Sequence, residues 1–172
     1  RFGVQLEVKS SFINGVGTRV REVVMEKRSV SGVARDQNVA LVTLEGLQDQ
    51  PGNIWRLFSG LTEQKINVDI ILQPPAVGQQ TSITFSVPRE SLDHAVEMLT
   101  EHRGDLMYES ISVDDRVCKI SIVGAGMASD YGVASRMFES LYQAGVNVRC
   151  VTTSEIKISV IVSEEDSDRA FI

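Results

Sequence analysis

The sequence predicts an α+β fold of two βαββαβ modules, each an antiparallel four-stranded sheet with two helices on one face. The first observation is an internal repeat: residues 51–68 and 131–148 align with six identities in 18 positions. The second is an alternation of hydrophobic periods, two in the predicted strands and 3.6 in the predicted helices. The third is the length of 172 residues, which suits one domain or two small ones.

The first module begins with an apolar strand, Val39–Leu44, and a turn that carries Asp49, Pro51 and Gly52. The following helix has apolar residues at i, i+3, i+4 and i+7, which predicts one buried face; they are Ile54, Leu57, Phe58 and Leu61. A second strand is predicted at Val68–Leu72.

The alternating segment Thr81–Val87 predicts a third strand with one buried face. A second helix begins at Pro88, and Gly104 is expected to end it. Its predicted buried face comprises Leu92, Ala95, Val96 and Leu99. Met107–Val113 is the predicted fourth strand.

The second module repeats this order, but only three strands are predicted within it. Strands are predicted at Val117–Val123, Val146–Val151 and Ile156–Val162. The helix between the first two has an apolar face of Val133, Met137, Phe138 and Leu141, and a last helix starts near Ser167. A sheet with three strands would leave an open edge. We therefore expect the unpartnered segment Val30–Ala34 to supply its fourth strand.

These patterns give three predicted regions. Residues 1–27, in which Val4, Leu6 and Val8 indicate a strand, are the end of a preceding catalytic domain or a linker. Residues 39–114 form module 1. Residues 28–37 with 115–172 form module 2, which is truncated at its C-terminus.

Composition excludes several function classes. The net charge is −6 and the basic residues are scattered, which argues against nucleic-acid binding. No apolar run approaches the roughly 18 residues of a membrane span, and we expect a cytoplasmic protein without a signal peptide. Cys118 and Cys150 are expected to be buried rather than disulfide-linked. His94 and His102 lack partners at metal-ligand spacing, so no metal site is expected.

Several segments resemble the regulatory region of aspartokinases, the enzymes that phosphorylate aspartate at the start of lysine, threonine and methionine synthesis. They are VSGVA at 30–34, ALVTLEGLQDQPG at 40–52, INVDIILQ at 66–73, TSITFSV at 81–87, KISIVGAGM at 119–127, GVNV at 145–148 and TSEIKISV at 153–160. EVKSSF at 7–12 is similar to the end of the kinase domain. The chain departs from the family at Ser129-Asp130-Tyr131, where a histidine-proline pair is usual, and at Asn53.

The resemblance implies two ferredoxin-like ACT modules that bind end-product amino acids, threonine and/or lysine, for feedback inhibition. It implies no catalytic site in this chain and no cofactor, since ATP and Mg belong to the kinase domain of this phosphotransferase. The implied partners are the amino-acid effectors, an aspartokinase catalytic domain or subunit, and a second copy that forms a homodimer through the ACT modules.

The two turns carry groups suited to a free amino acid. Backbone amides at a helix N-terminus suit the effector's carboxylate; the candidates are Gly52, Asn53 and Ile54 in module 1 and Gly132, Val133 and Ala134 in module 2. Side-chain oxygens suit its ammonium; the candidates are Asp49, Asn67, Gln73, Asp130 and Asn147. The alternative is that the aspartates only cap helices and the asparagines only turn the chain.

In the family, effectors bind where ACT modules meet, often between a module of one chain and a module of its partner. The resemblance therefore places Asp49–Ile54 and Gln73 near Asn147 and Val148 of another module, with Thr153, Ser154 and Glu155 at the same interface. Together with Pro51, Asp69, Met127, Ser129, Asp130, Gly132 and Val133, these complete the predicted effector site.

Three other functions compete with this one. A dinucleotide-binding enzyme is suggested by Gly124-x-Gly126 after a strand, but Ser129 replaces the third glycine and Glu155 lies too far on. An ACT-type dimerisation module without a ligand would use Trp55 and Met127 as interface anchors. Another amino-acid-sensing ACT protein is the third alternative.

Overall fold

The computed structural model describes residues 6–9, 12, 18–20 and 29–171. Its strands are β1 Leu6–Val8, β2 Thr18–Val20, β3 Gly32–Asp36, β4 Ala40–Gln48, β5 Ile71–Leu72, β6 Gln80–Val87, β7 Ser110–Asp114, β8 Val117–Val123, β9 Val148–Thr153 and β10 Lys157–Ser163. Its α-helices are α1 Asn53–Glu63, α2 Leu92–Glu101, α3 Arg103–Leu106, α4 Val133–Gln143 and α5 Ser167–Phe171.

The first sheet has the strand order β5-β6-β4-β7, and all its neighbours are antiparallel. Alternate residues of β4 and β6 face α1 and α2, because successive side chains of a strand point to opposite faces. The resulting core is made of Val42, Leu44, Ile83, Phe85, Leu57, Leu61 and Leu99, among others. Phe58 packs edge-on against Phe85, with ring centroids 5.8 Å apart.

The second sheet has the order β3-β8-β10-β9, so its fourth strand comes from before the first module. β3 pairs with β8 over five residues, from Gly32 opposite Val123 to Asp36 opposite Lys119. The predicted completion of the second sheet by an N-terminal strand is confirmed, although the strand begins two residues later than expected. Its helix-side core includes Cys118, Ile120, Val160, Val133 and Leu141.

The two sheets pack on each other through their helix-free faces. A third apolar cluster joins Val39, Leu41 and Ile70 of the first module with Val117, Cys150 and Ile161 of the second. The cysteines are both buried and unbridged. Lys119 reaches across from β8 with only 15% of its side chain exposed, and its Nζ lies 2.6 Å from Asp69 of the first module and 3.0 Å from Asp36 of β3.

Some predicted element boundaries were wrong. The second strand was predicted at 68–72 but pairs only at Ile71 and Leu72. The amide of Ile70 donates to the side-chain hydroxyl of Ser86 in β6 instead of to a backbone carbonyl of that strand. Gly104 does not end the second helix; it lies within α3, and Met107, the residue after α3, adopts the left-handed conformation (φ 50°). The fourth strand therefore begins at Ser110, not at Met107.

The N-terminal region is described only in part. β1 and β2 pair antiparallel, in agreement with a strand near Leu6 and Val8, whereas Val4 and most of residues 1–27 lie outside the described residues. No helix among the described residues is both long enough and apolar enough to span a membrane.

Candidate functional site: two strand-to-helix loops

The first loop, residues 49–52, connects β4 to α1. Before this loop, Gly46 adopts φ 65° at the irregularity of β4 between Leu44 and Leu47, a backbone conformation that favours glycine. Gly52 then enters α1 in the left-handed conformation (φ 98°), which an L side chain rarely adopts. Nothing lies within 4 Å of where a Cβ at Gly52 would be, so the loop is open to a ligand at this point.

Asn53 is a structural residue of this loop. Its side chain is 1% exposed, and its Nδ2 donates to the carbonyls of Gln48 (2.9 Å) and Leu106 (3.4 Å). Its backbone amide donates to Gln50. The expectation that the Asn53 amide is available to an effector is therefore wrong, because the loop itself satisfies it.

Two other backbone amides of α1, unlike that of Asn53, have no acceptor in the loop and could bind an anion. The first helical hydrogen bond is donated by Arg56 to the carbonyl of Gly52, so the amides of Ile54 and Trp55 precede it. The positive end of the helix dipole lies at the same point. Asp49 is exposed in this loop, and no hydrogen bond or ion pair joins its carboxylate to another residue of the described ranges.

The remaining predicted residues of module 1 surround strand β5. Asn67, Asp69 and Gln73 are exposed. Helix α1 has 11 residues, about 16 Å, so Asn67 lies at the opposite end of the module from Asp49. Gln73 follows β5 and lies toward the first loop.

Asp69 is occupied by the second module. Its carboxylate accepts a hydrogen bond from Lys119, and this contact holds the pKa of Asp69 below its ordinary value despite partial burial. Lys157 lies farther away, at 3.8 Å. Burial lowers the pKa of Lys119, whereas its two partner carboxylates raise it. The carboxylates prevail, so the pKa of Lys119 lies above its ordinary value. Asp69 is thus a link between the modules of one chain.

The second loop, residues 124–132, connects β8 to α4 and differs from the first. It contains a short 3₁₀ turn at Met127–Ser129, with Met127 buried and Ser129 exposed. Gly132 has φ −103°, unlike the left-handed Gly52 at the equivalent repeat position. Val133 is buried in the module core rather than exposed in the loop.

The Asp130 carboxylate already accepts hydrogen bonds from three donors of the chain itself. One oxygen accepts from the Ser29 hydroxyl and from Arg136 (2.5 Å), and the other accepts from the Gly132 amide (3.0 Å). These three donors hold the pKa of Asp130 far below its usual range. Arg136 has the largest effect, followed by the Ser29 hydroxyl and the Gly132 amide.

The other predicted residues of module 2 lie around the open edge strand β9. Asn147 is exposed just before this strand, and Val148 is its first residue. Thr153, Ser154 and Glu155 form the exposed turn into β10, closed by a 2.7 Å hydrogen bond from the Ser154 amide to Lys157. No hydrogen bond or ion pair within residues 29–171 joins the first loop to Asn147 or to this turn.

Three residues at the sites were missed by sequence reasoning: Ser29, Lys119 and Arg136. Lys119 had a usable signal, since it stands on the face of β8 opposite Cys118 and Ile120 and so had to lie between the sheets. Ser29 had none, because its partner Asp130 is 101 residues away. Arg136 is only six residues from Asp130 and is one of the six identities of the repeat, which is a signal that could have been used.

Comparisons with known proteins define the class first. A family model described as "ACT domain" matches residues 120–172. The regulatory subunit of aspartate kinase from Thermus thermophilus, in its ligand-free form, is 33% identical and has a TM-score of 0.78 over 84% of this chain and 95% of that chain. The chain is therefore a regulatory region built of ACT modules.

The curated relatives give the particular family. Aspartokinase 2 of Bacillus subtilis is 39% identical over 171 residues, and the aspartokinase of Corynebacterium efficiens is 37% identical over 175. Both matches cover 98% of this chain, which spans 42% of the length of those relatives. The chain belongs to the aspartokinase family, as its regulatory ACT region.

Proposed function

We propose that this chain is the allosteric regulatory part of an aspartate kinase, and that it binds an end-product amino acid, threonine and/or lysine, to bring about feedback inhibition. Family membership supports the regulatory role. The single observation that carries the proposal for the site is the first loop, where the Ile54 and Trp55 amides and the exposed Asp49 carboxylate stand at one helix end. These groups match the carboxylate and the ammonium of a free amino acid.

The second half of the site would come from another copy of the chain. β5 and β9 are the outer strands of their sheets, and each exposes an apolar residue, Ile71 at 50% and Val151 at 37%. If β5 of one copy pairs antiparallel with β9 of its partner, the end of β5 faces the start of β9. This pairing brings Asn147 and Val148 of one copy beside Gln73 and the first loop of the other.

Feedback inhibition then follows from linkage. An effector that binds one arrangement of the modules more tightly than another shifts the population toward the first. A coupling of about 1–3 kcal/mol changes substrate affinity by about 5–150-fold, and the effect is reciprocal for binding.

Calorimetric titration of the chain tests the proposal, with threonine, lysine, methionine and isoleucine as separate ligands. We expect saturable heat with threonine or lysine, and about 2.7 kcal/mol of stabilisation at 100 times the dissociation constant. Trp55 is the only tryptophan and lies in the first turn of α1, so its fluorescence should change in the same titration. Binding should be lost in Asp49→Ala and kept in the control Asp93→Ala, an exposed aspartate of α2.

One observation favours a second candidate function, a dimerisation module without a ligand. The first helix of each module carries an exposed aromatic side chain, Trp55 on α1 at 71% and Tyr142 on α4 at 83%. Sedimentation in the same buffers separates the two functions. A dimer that takes up none of the four amino acids would contradict the sensor and support the dimerisation module.

A further inference from the structure

The second loop contacts residues 29–31, which lead into β3. The Ser29 hydroxyl donates to Asp130, and the Ser31 amide donates to the Val123 carbonyl at 2.8 Å. Gly124 lies so close to this segment that a Cβ there would be 2.1 Å from the Ser29 carbonyl oxygen. Val30, between the two serines, packs against the core of module 2. Residues 29–31 are therefore held by hydrogen bonds and by packing.

Asp130 connects this segment to helix α4. The carboxylate oxygen that accepts from Ser29 also accepts from Arg136, one turn into α4, and the other oxygen accepts from the amide of Gly132, the residue before the helix. An effector ammonium would compete with these three donors for the same carboxylate. The first loop has no such arrangement, since the Asp49 carboxylate has no partner among the described residues. The aspartates of the two loops, which lie one position apart in the repeat alignment, therefore have different partners.

This inference rests on the proposed effector site. We infer that the second loop, through the hydrogen bonds of Asp130 to Ser29 and Arg136 that we call the clasp, transmits effector binding and is not a second effector site. Asn147 and Val148, the proposed effector contacts, follow α4, and Asp130 stands at the other end of the same helix. A helix of 11 residues moves as a rigid element over its length of about 16 Å. A displacement of α4 by the effector is passed through Arg136 and Asp130 to Ser29, and from there to the part of the chain before β3.

Hydrogen exchange of the full chain, with and without threonine or lysine, tests this inference. In the ligand-free wild type the amides of residues 31–36 that point toward β8 should be protected, since β3 is an edge strand and pairs on that side only. In Ser29→Ala we expect their exchange to rise by about tenfold, as loss of a hydrogen bond to a charged group implies. Ser29→Thr keeps the hydroxyl and should restore protection. In an Asp130→Ala background Ser29→Ala should add nothing further.

Hydrogen exchange measured with the effector present distinguishes a clasp that transmits binding from a contact that is only structural. In the wild type the effector should change exchange at residues 31–36. In Ser29→Ala this change should disappear, while the dissociation constant from calorimetry stays within about twofold. A tenfold loss of affinity in Ser29→Ala, or an effector response of residues 31–36 that survives this substitution, would overturn the inference.

Failure of the proposed function gives a different pattern. If none of the ligands binds the wild type, the sensor is contradicted, and the clasp is judged by ligand-free exchange alone. Equal exchange of residues 31–36 in the wild type and in Ser29→Ala would then refute the clasp as well.

Discussion

Gly124 is the position where a single methyl group most directly tests the docking of the N-terminal strand. The substitution Gly124→Ala places a Cβ 2.1 Å from the Ser29 carbonyl oxygen and 2.9 Å from both the Ser29 carbonyl carbon and the Val30 Cα. Real Cβ contacts are essentially never below 3.0 Å. All three atoms belong to the backbone, so no side chain can rotate away, and residues 29–30 must move from β8.

The expected cost is that of overpacking, about 1–3 kcal/mol. For a chain of this size each kcal/mol lowers the midpoint of thermal unfolding by about 2–4 °C. Calorimetric melting measures this shift, and hydrogen exchange should locate the loss of protection in β3 and β8 rather than in β4 and β6. The matched control is Gly104→Ala, where nothing lies within 4 Å of the new Cβ. Melting of Gly124→Ala at the wild-type temperature, with β3 still protected, would refute the docking of residues 29–30 against this glycine.

The two remaining stability predictions concern Asn53 and Lys119. Asn53→Ala removes the side-chain donor to two carbonyls in a buried site and should lower the free energy of unfolding in denaturant by about 1–3 kcal/mol. The control Asn67→Ala, at an exposed position, should change it by less than about 0.5 kcal/mol. Equal effects of the two substitutions would contradict the structural role of Asn53. Lys119→Met should cost about 1 kcal/mol, since its carboxylate partners are partly exposed. Because the pKa of Asp69 is lowered in the folded chain, this cost should be present near neutral pH and shrink as the pH falls below 3.8. Because the pKa of Lys119 is raised, it should also shrink as the pH rises past 10.5. A cost that does not change with pH would contradict the ion pair.

Much of the fold could be predicted from the sequence because the signals were periodic and repeated. The 80-residue repeat predicted that two modules share one plan, and counting strands showed that module 2 lacked one. The segment near Val30 was then the one candidate to complete the sheet, and its pairing with β8 confirms that prediction.

The errors arose where a side chain replaced a backbone interaction. The Ser86 hydroxyl shortens β5 by taking the Ile70 amide, and no periodicity reports this. Phe138 was expected on the buried face of α4 but is 38% exposed, because hydrophobic spacing does not tell a core from an open interface. Whether the effector contacts lie in the predicted residues stays a prediction.

The candidate site was predictable in its loops but not in its partners. The amides and the aspartates could be expected from the strand-turn-helix pattern. The burial of Asn53 depends on Leu106, and the engagement of Asp130 depends on Ser29, both far away in the sequence. Contacts of this kind are set by tertiary packing and carry no local signature.

The most direct test of the central claim, a site shared by two copies, is complementation between two inactive variants. Asp49→Ala and Asn147→Ala are each expected to lose effector binding in calorimetry. When equal amounts are unfolded and refolded together, half the dimers carry one of each variant, and each of these has one intact site. We predict recovery of about a quarter of the wild-type number of sites, as twofold symmetry requires. If the wild type binds and the mixture recovers none, the site does not combine Asp49 of one copy with Asn147 of another, and the account is contradicted.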